Sequence, residues 1–267
     1  MLPGHAAAGG PNVTAGDTAR MKPSTHWLAS LVAALLAPAL AHASDPVVTD
    51  SRVINEDRRL AILETKLAAL QLQLAALEDT KSIERLQQAY GYYVSAGNAH
   101  EAAALFSEEP GASLEYAQSG VFLGRRRIEQ FLAAGGASLR PGEIRETPVY
   151  QGVVHVAADG RTAKGRWRSL VMGGVHGEDG RWTEGPYENE YVKENGVWRI
   201  RTLHWYTTVS GSYAQGWHKL AYPVQGPLAN LPPDRPPTQV YQSFPNFFLP
   251  PYHYFNPITG KPVGWDY

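Results

Sequence analysis

Between Trp182 and Thr208 two stretches rich in aromatic and β-branched residues meet at Asn195-Gly196. Both turn residues tolerate the positive φ of a type I′ turn, so the pattern predicts a hairpin of two long strands. Alternation puts Trp198, Ile200, Thr202, His204 and Tyr206 on one face of the second strand, and Arg199, Arg201, Leu203 and Trp205 on the other. On the first strand it groups Tyr187, Asn189 and Tyr191 against Glu188, Glu190 and Val192. A wall that is apolar at the turn end and carries Tyr, Asn, His and Tyr at the other is the lining expected of a pocket. One bulge would exchange His204 for Leu203 or Trp205.

Upstream the period changes. Leucines at 60, 63, 67, 70, 74 and 77 keep one apolar seam on a helix and predict a short coiled-coil segment within residues 44–78. The seam pairs with a second subunit or, alternatively, lies across its own domain. Asp79 or Thr80 can cap a new helix, along which Ile83, Leu86, Tyr90 and Val94 recur at helical spacing. Further elements follow in order: a helix over His100–Phe106, a strand near Ser113–Ala117, a helix near Arg127–Ala133, and strands Glu146–Ala157 and Thr162–Met172, before the hairpin. Helices come first and antiparallel strands after them.

The two ends read differently. Residues 1–20 have no periodicity and suggest a misplaced start. Residues 21–43 combine a basic opening, an apolar run from Trp27 to Leu40 and Ala41-His42-Ala43, which predicts a signal peptide cut after Ala43 and a secreted or periplasmic protein. An uncleaved anchor is the alternative. Over residues 213–267, eleven of the twenty prolines are spread among Tyr, Phe and Trp. That spacing excludes long helices and central strands but leaves apolar area to bury, so it predicts an extended arm that wraps its own domain or a neighbour's.

Composition narrows the chemistry. A chain of 267 residues with 43% hydrophobic content and a net charge of −1 can bury a core and has no basic footprint for nucleic acid. Without cysteine there is no disulfide, thiolate nucleophile or Cys-based metal site. The nine histidines fall at no metal-ligand spacing, and the glycine pairs lack a phosphate-loop context, so neither metal nor cofactor is expected.

Ile83, Leu86 and Tyr90 on one helix, Ala103–Phe106 on the next, Gly124 with Ile128, Asp159-Gly160-Arg161-Thr162-Ala163 and Gly196-Val197-Trp198-Arg199-Ile200 follow one another in a telling order. Residues 79–212 thereby resemble the SnoaL-like branch of the NTF2-like superfamily. The resemblance implies an α+β cone, with a curved antiparallel sheet wrapped around helices and enclosing one pocket. It implies less about chemistry, because the fold hosts dehydratases, isomerases, cyclases, hydrolases and plain binders. Many enzymes of this branch use a His–Asp pair, and the corresponding places here hold Ser95 and Thr147-Pro148. Neither can act as that general base.

The remaining polar residues supply the candidates. His204 is the first choice for acid–base work because its ordinary pKa lies near neutrality. Tyr187 and Asn189 would hold a substrate oxygen, and Tyr90 would reach the cavity from its helix. Tyr93, Tyr116, Trp167, Arg168, Tyr191 and Tyr206 are candidate substrate contacts. Each has a structural alternative: a lone strand histidine is more often structural, Arg166 and Arg168 read first as solvated arginines, and the strand faces of His155, Glu190 and Arg168 stay open. The leading expectation is an exported, cofactor-independent lyase for a hydrophobic phenolic or polycyclic molecule. The Tyr187–Tyr191 stretch and the Pro/aromatic tail are similar to relatives that eliminate water or formaldehyde from lignin-derived diaryl compounds. A non-catalytic binder of a small hydrophobic molecule and a structural partner protein are the alternatives, and the leucine seam and arm point to a homo-oligomer.

Overall fold

The computed structural model describes residues 47–136, 139–178 and 180–264. The expected start, signal peptide and cleavage point lie outside the described residues. Contacts divide the chain after Asn55, and the fold below is that of Glu56–Tyr267.

Helix α1 (Val47–Ala96) is followed by α2 (Ala99–Ala104), β1 (Ser113–Tyr116), β2 (Val121–Leu123), α3 (Gly124–Ala134), β3 (Glu143–Glu146) and β4 (Val149–Val156). Long strands β5 (Thr162–Val175) and β6 (Gly180–Glu194) lead to β7 (Val197–Trp205) and β8 (Val209–Ser212). The expected helix break at Asp79-Thr80 is absent. Thr80 and Ser82 turn their hydroxyls back onto the carbonyls of Ala76 (2.9 Å) and Glu78 (2.7 Å), as hydroxyl residues do inside a helix. Asp79 caps nothing; it accepts from the Trp198 indole at 2.9 Å and from Lys193 at 2.5 Å.

The sheet runs β2-β1-β7-β6-β5-β3, with β4 also on β5 and β8 also on β6. It is mixed rather than purely antiparallel, because β1 lies parallel to β7. These two strands are separated by most of the domain, so no tight hairpin dictates their direction. β5 pairs with β4 through Val149↔Ser169 to Val156↔Ala163 and with β3 through Glu143↔Val175 to Glu146↔Met172. β6 likewise passes from β7 to β8. The second half of α1 lies on the inner side of the sheet, where Ile83, Gln87 and Tyr90 are fully buried against Phe106, Leu203 and Trp205.

The strand expected over Glu146–Ala157 is interrupted at Thr147-Pro148, since proline has no N–H for the ladder. Past it the register shifts between Tyr150 and Val153. There a Cβ on Gly152 would sit 2.2 Å from the Trp167 ring, so glycine is needed for the indole to lie across β4. Asn195 and Gly196 do take positive φ, 49° and 80°, as the hairpin requires.

The decisive irregularity is on β7. Tyr191 faces Ile200 while Glu190 faces Thr202, so Arg201 is an extra residue opposite no partner. Trp198 and Ile200 face the core before this bulge; Leu203 and Trp205 face it after. The bulge therefore turns His204 to the outer face of the sheet.

Residues 213–264 contain only isolated bridges and pack on the outer face and rim of the same domain. Gln118 donates from its backbone N–H to the Gln225 carbonyl (3.0 Å) and from its amide to the Tyr241 carbonyl (2.6 Å). Thr238 donates to Glu115 through both its N–H (2.8 Å) and its hydroxyl (2.7 Å).

Candidate functional site

Two adjoining cavities open on the inner side of the sheet and share Tyr116, Val171 and Gln225. The deeper one, about 190 Å³, is lined by Tyr90 of α1, Phe131 and Leu132 of α3, Thr147 and Tyr187 of β6. The outer one, about 330 Å³, adds Trp205 and a polar rim of Arg181, Thr183, Thr207 and Ser210. Larger grooves of about 590 and 600 Å³ lie on the outer face, beside His155 and beside His204. We take the inner pair as the candidate site because core aromatic rings wall it and few polar groups converge on it.

Three tyrosines from three elements form its floor. The Tyr90 and Tyr187 rings meet edge to face with centroids 6.3 Å apart, and Tyr116 stacks on Trp205 at 4.4 Å. Burial pushes all three hydroxyls far above the ordinary tyrosine range, and charge on Tyr116 would add to this for Tyr90, as charge on Tyr90 or Tyr116 would for Tyr187. They are protonated donors at neutral pH. Tyr187 is bonded to Ser169, whereas among the described residues the Tyr90 and Tyr116 hydroxyls have no hydrogen-bond partner.

Arg181 supplies positive charge at the rim. Its Nε donates to the Ser210 hydroxyl at 3.0 Å, its guanidinium lies 4.5 Å over the Tyr222 ring, and it offsets part of the burial effect on Tyr116. Thr183 and Ser210 share a hydrogen bond of 2.8 Å beside it. No histidine or carboxylate lines the two cavities among the described residues. No group of three or more His, Asp or Glu is placed to hold a metal ion among them either.

Of the sequence candidates, Tyr90, Tyr116 and Tyr187 come together here. Asn189, Tyr191 and Trp167 face inward but belong to a closed network beneath the cavity. Asn189 donates to Gln87 Oε1 (2.9 Å), Tyr191 donates to the same oxygen (2.8 Å), Trp167 donates to Tyr191 (2.8 Å), and Asn189 Oδ1 accepts from the His204 backbone (3.2 Å). Their polar groups are occupied within this network, and none of the three lines either inner cavity. Tyr93 is half-buried against the core and lines neither cavity.

His204 and Tyr206 lie on the outer face, against expectation, and so does Arg168, whose face the sequence left open. His204 and Tyr206 stack at 3.8 Å, and His204 Nδ1 stands 3.6 Å from Glu115. Burial lowers the His204 pKa to about 4, so it is neutral and this contact is no ion pair near pH 7. Arg168 pairs with Glu184 at 3.3 Å. Glu190 also points outward, 3.6 Å from Lys164, and His155 meets His253 at 3.2 Å. The sequence reading missed Arg181 because the hairpin was begun at Trp182. Counting back from Tyr187 in steps of two reaches it, whereas Ser210 and Gln225 arrive from loops that carry no such signal.

Comparison with known proteins agrees with this architecture. Residues 75–204 match the family model described as a SnoaL-like domain. Among solved structures, a putative scytalone dehydratase from Novosphingobium aromaticivorans is 20% identical over 59% of this chain and 97% of its own, with a TM-score of 0.48. The hexachlorocyclohexane dehydrochlorinase LinA-type3 from Novosphingobium barchaimii is 15% identical over 53% and 94%, at 0.46. A Catenulispora acidiphila protein in complex with S-DNPA is 14% identical over 48% and 92%, at 0.40. No curated protein matches the sequence. The match spans just under half of the chain, so it is residues 75–204 that are similar to the SnoaL-like domain family.

Proposed function

We propose that this chain is an exported lyase, working without a cofactor on a hydrophobic phenolic molecule, by elimination of water or formaldehyde. The reading rests on one observation: protonated Tyr90, Tyr116 and Tyr187 converge on the deeper, apolar cavity, and Tyr116 joins it to the outer cavity that Arg181 lines. Donors fixed where negative charge develops lower a barrier because they need no reorganisation during the reaction. The export half rests on residues 21–43, outside the described structure.

In this scheme the substrate phenol gives its proton to solvent water at the rim, where Arg181 offsets the phenolate charge, and the phenolate pushes electrons through its ring; the product phenolate regains a proton from water on release. The benzylic C–O bond breaks, and the departing oxygen takes a proton from a tyrosine hydroxyl and leaves as water. The neutral quinone methide then loses a proton from the adjacent carbon to the tyrosinate, which restores the phenolate and forms C=C. Where that carbon bears CH2OH, its O–H proton goes to the tyrosinate instead and formaldehyde leaves. Tyrosine takes the role that His204 was expected to fill, because His204 is on the other face of the sheet.

The test is incubation with a panel of phenolic diaryl and polycyclic alcohols, with products read by mass. Tyr187→Phe and Tyr116→Phe should each lower turnover about 10²-fold, as loss of one preorganised donor does, while His204→Asn stays within about twofold of wild type. Equal losses in all three would sink the assignment. A second reading, a binder of small hydrophobic molecules, is favoured by the lack of a histidine or carboxylate in the described lining. It would give thermal stabilisation by ligand with no product.

A further inference from the structure

The leucine seam touches nothing in its own domain. Leu60, Leu63, Leu67, Leu70, Leu74 and Leu77 are all more than half exposed, at 56–64%. They lie within the continuous helix α1, and Ile83 is the first fully buried side chain further along it. The alternative in which this segment packs across its own domain is thereby removed for the described residues. A stripe of six leucines left in water is a large apolar surface that needs a partner.

The charges beside the stripe say which partner. With Leu60, Leu67 and Leu74 at heptad position a and Leu63, Leu70 and Leu77 at d, position e holds Glu64, Gln71 and Glu78. Position g holds Arg59, Lys66 and Gln73. One flank is acidic or neutral throughout and the other basic or neutral. Two parallel copies in register set each g residue against the e residue of the following heptad, so Arg59 meets Glu64, Lys66 meets Gln71 and Gln73 meets Glu78 of the other copy. Every such contact is attractive or neutral. Antiparallel copies overlapping along the whole seam would set g against g and e against e, which brings Lys66 against Gln73, Glu64 against Gln71 and Asp57 against Glu78, one repulsive contact and no attractive one.

We infer that residues 59–78 form a parallel, in-register coiled coil with a second copy of this chain, which places two SnoaL-like domains side by side at the same end of the coil. The same helix is long and apolar enough to cross a membrane by length and composition alone. Yet a lipid-facing helix has no use for Glu64, Lys66, Gln71 and Gln73 recurring along the flanks of its most apolar stripe.

The chain has no cysteine, so one introduced thiol reports position without interference. Leu60→Cys and Leu77→Cys variants of the full chain, each oxidised alone, should form disulfides between like positions at both ends of the seam. Formation of disulfides only when the two variants are mixed would overturn the parallel arrangement. Sedimentation should give a multiple of the chain mass for wild type. For Leu63→Glu/Leu70→Glu it should give the monomer, with the near-ultraviolet spectrum of the domain retained, since neither leucine contacts it. Glu64→Arg should weaken self-association about fivefold, and adding Arg59→Glu should restore it. A wild-type monomer at micromolar concentration, or association that appears only with added lipid vesicles, would refute self-pairing.

Discussion

The two faces of the sheet hold equally polar but differently employed residues. On the outer face Arg166 pairs with Glu188, which also accepts from His253 at 2.9 Å, and Glu115 takes two hydrogen bonds from Thr238. Those groups are satisfied by residues 238–253, which cover them. On the inner face Tyr90 and Tyr116 lie under core aromatic rings with no described partner. His204 Nε2 on the outer face is also buried without a partner among the described residues, so what singles out the inner face is that its unengaged hydroxyls open into a cavity walled by core rings. The Arg166, Glu188 and His253 cluster draws the eye on the outer face, but Glu188 already bonds the other two.

What assigns the faces is the extra residue at Arg201. Deleting it removes the bulge but leaves Thr202 and His204 outward and Leu203 and Trp205 inward, because the two residues between Ile200 and Leu203 become one. That variant should keep a cooperative melt and the native near-ultraviolet spectrum. The largest effect of any single change is expected where the bulge aims an apolar side chain into the core: Leu203→Asp would bury an unpaired carboxylate at a fully buried position, a cost comparable with the roughly 5–15 kcal/mol that holds a domain of this kind together. No cooperative melt is expected for it. A Leu203→Asp variant that melts like wild type would show that the faces are set elsewhere.

Arg201 also marks the limit of what the sequence disclosed. Order of elements, the Asn195-Gly196 turn, the tyrosines of α1, β1 and β6, and the family likeness were legible, because each depends on local periodicity or on short signals. The bulge was foreseen as a hazard but not located, since Arg199 and Arg201 look alike in sequence and nothing local says which is surplus. Its consequence spread to every residue downstream: His204 and Tyr206 left the site, while Leu203 and Trp205 entered the core. Asn189 and Tyr191 were placed on the correct face, yet their roles depended on Gln87, a hundred residues away on α1. The uninterrupted helix through Asp79 was missed for a similar reason, because the side chains that claim Asp79 come from β6 and β7.

His204 allows the outer face to be tested by pH. Its pKa is near 4 in the folded chain against 6.5 as the ordinary value, so above pH 6.5 both states are neutral. As pH falls from 6.5 towards 4 the unfolded state takes up a proton that the folded state refuses, and stability drops by up to about 3 kcal/mol before levelling. Glu115 acts in the opposite sense, because burial raises its pKa and the folded state gains its proton first as pH falls. Tyr206 on the other side of the ring stays neutral, its hydroxyl held above the ordinary range by burial. Wild type should therefore lose stability relative to His204→Asn across pH 6.5 to 4 in chemical denaturation. Parallel curves would mean that His204 is open to solvent.

The smallest expected effect sharpens the comparison within the outer face itself. Lys164–Glu190 and Arg166–Glu188 bridge the same two strands at successive outward positions. The first pair is separated by 3.6 Å with side chains 58% and 53% exposed; the second is covered, at 11% and 16%. An exposed pair gains little over its hydrated ions and is screened by salt, so Lys164→Ala should cost no more than about 0.5 kcal/mol and leave turnover unchanged. That cost should vanish in molar salt. A larger or salt-insensitive loss would mean that the 590 Å³ groove lined by Lys164, Glu190 and His253 is held more tightly than its exposure implies. The boundary between the covered and the open outer face would then lie further along β5 than these two pairs place it.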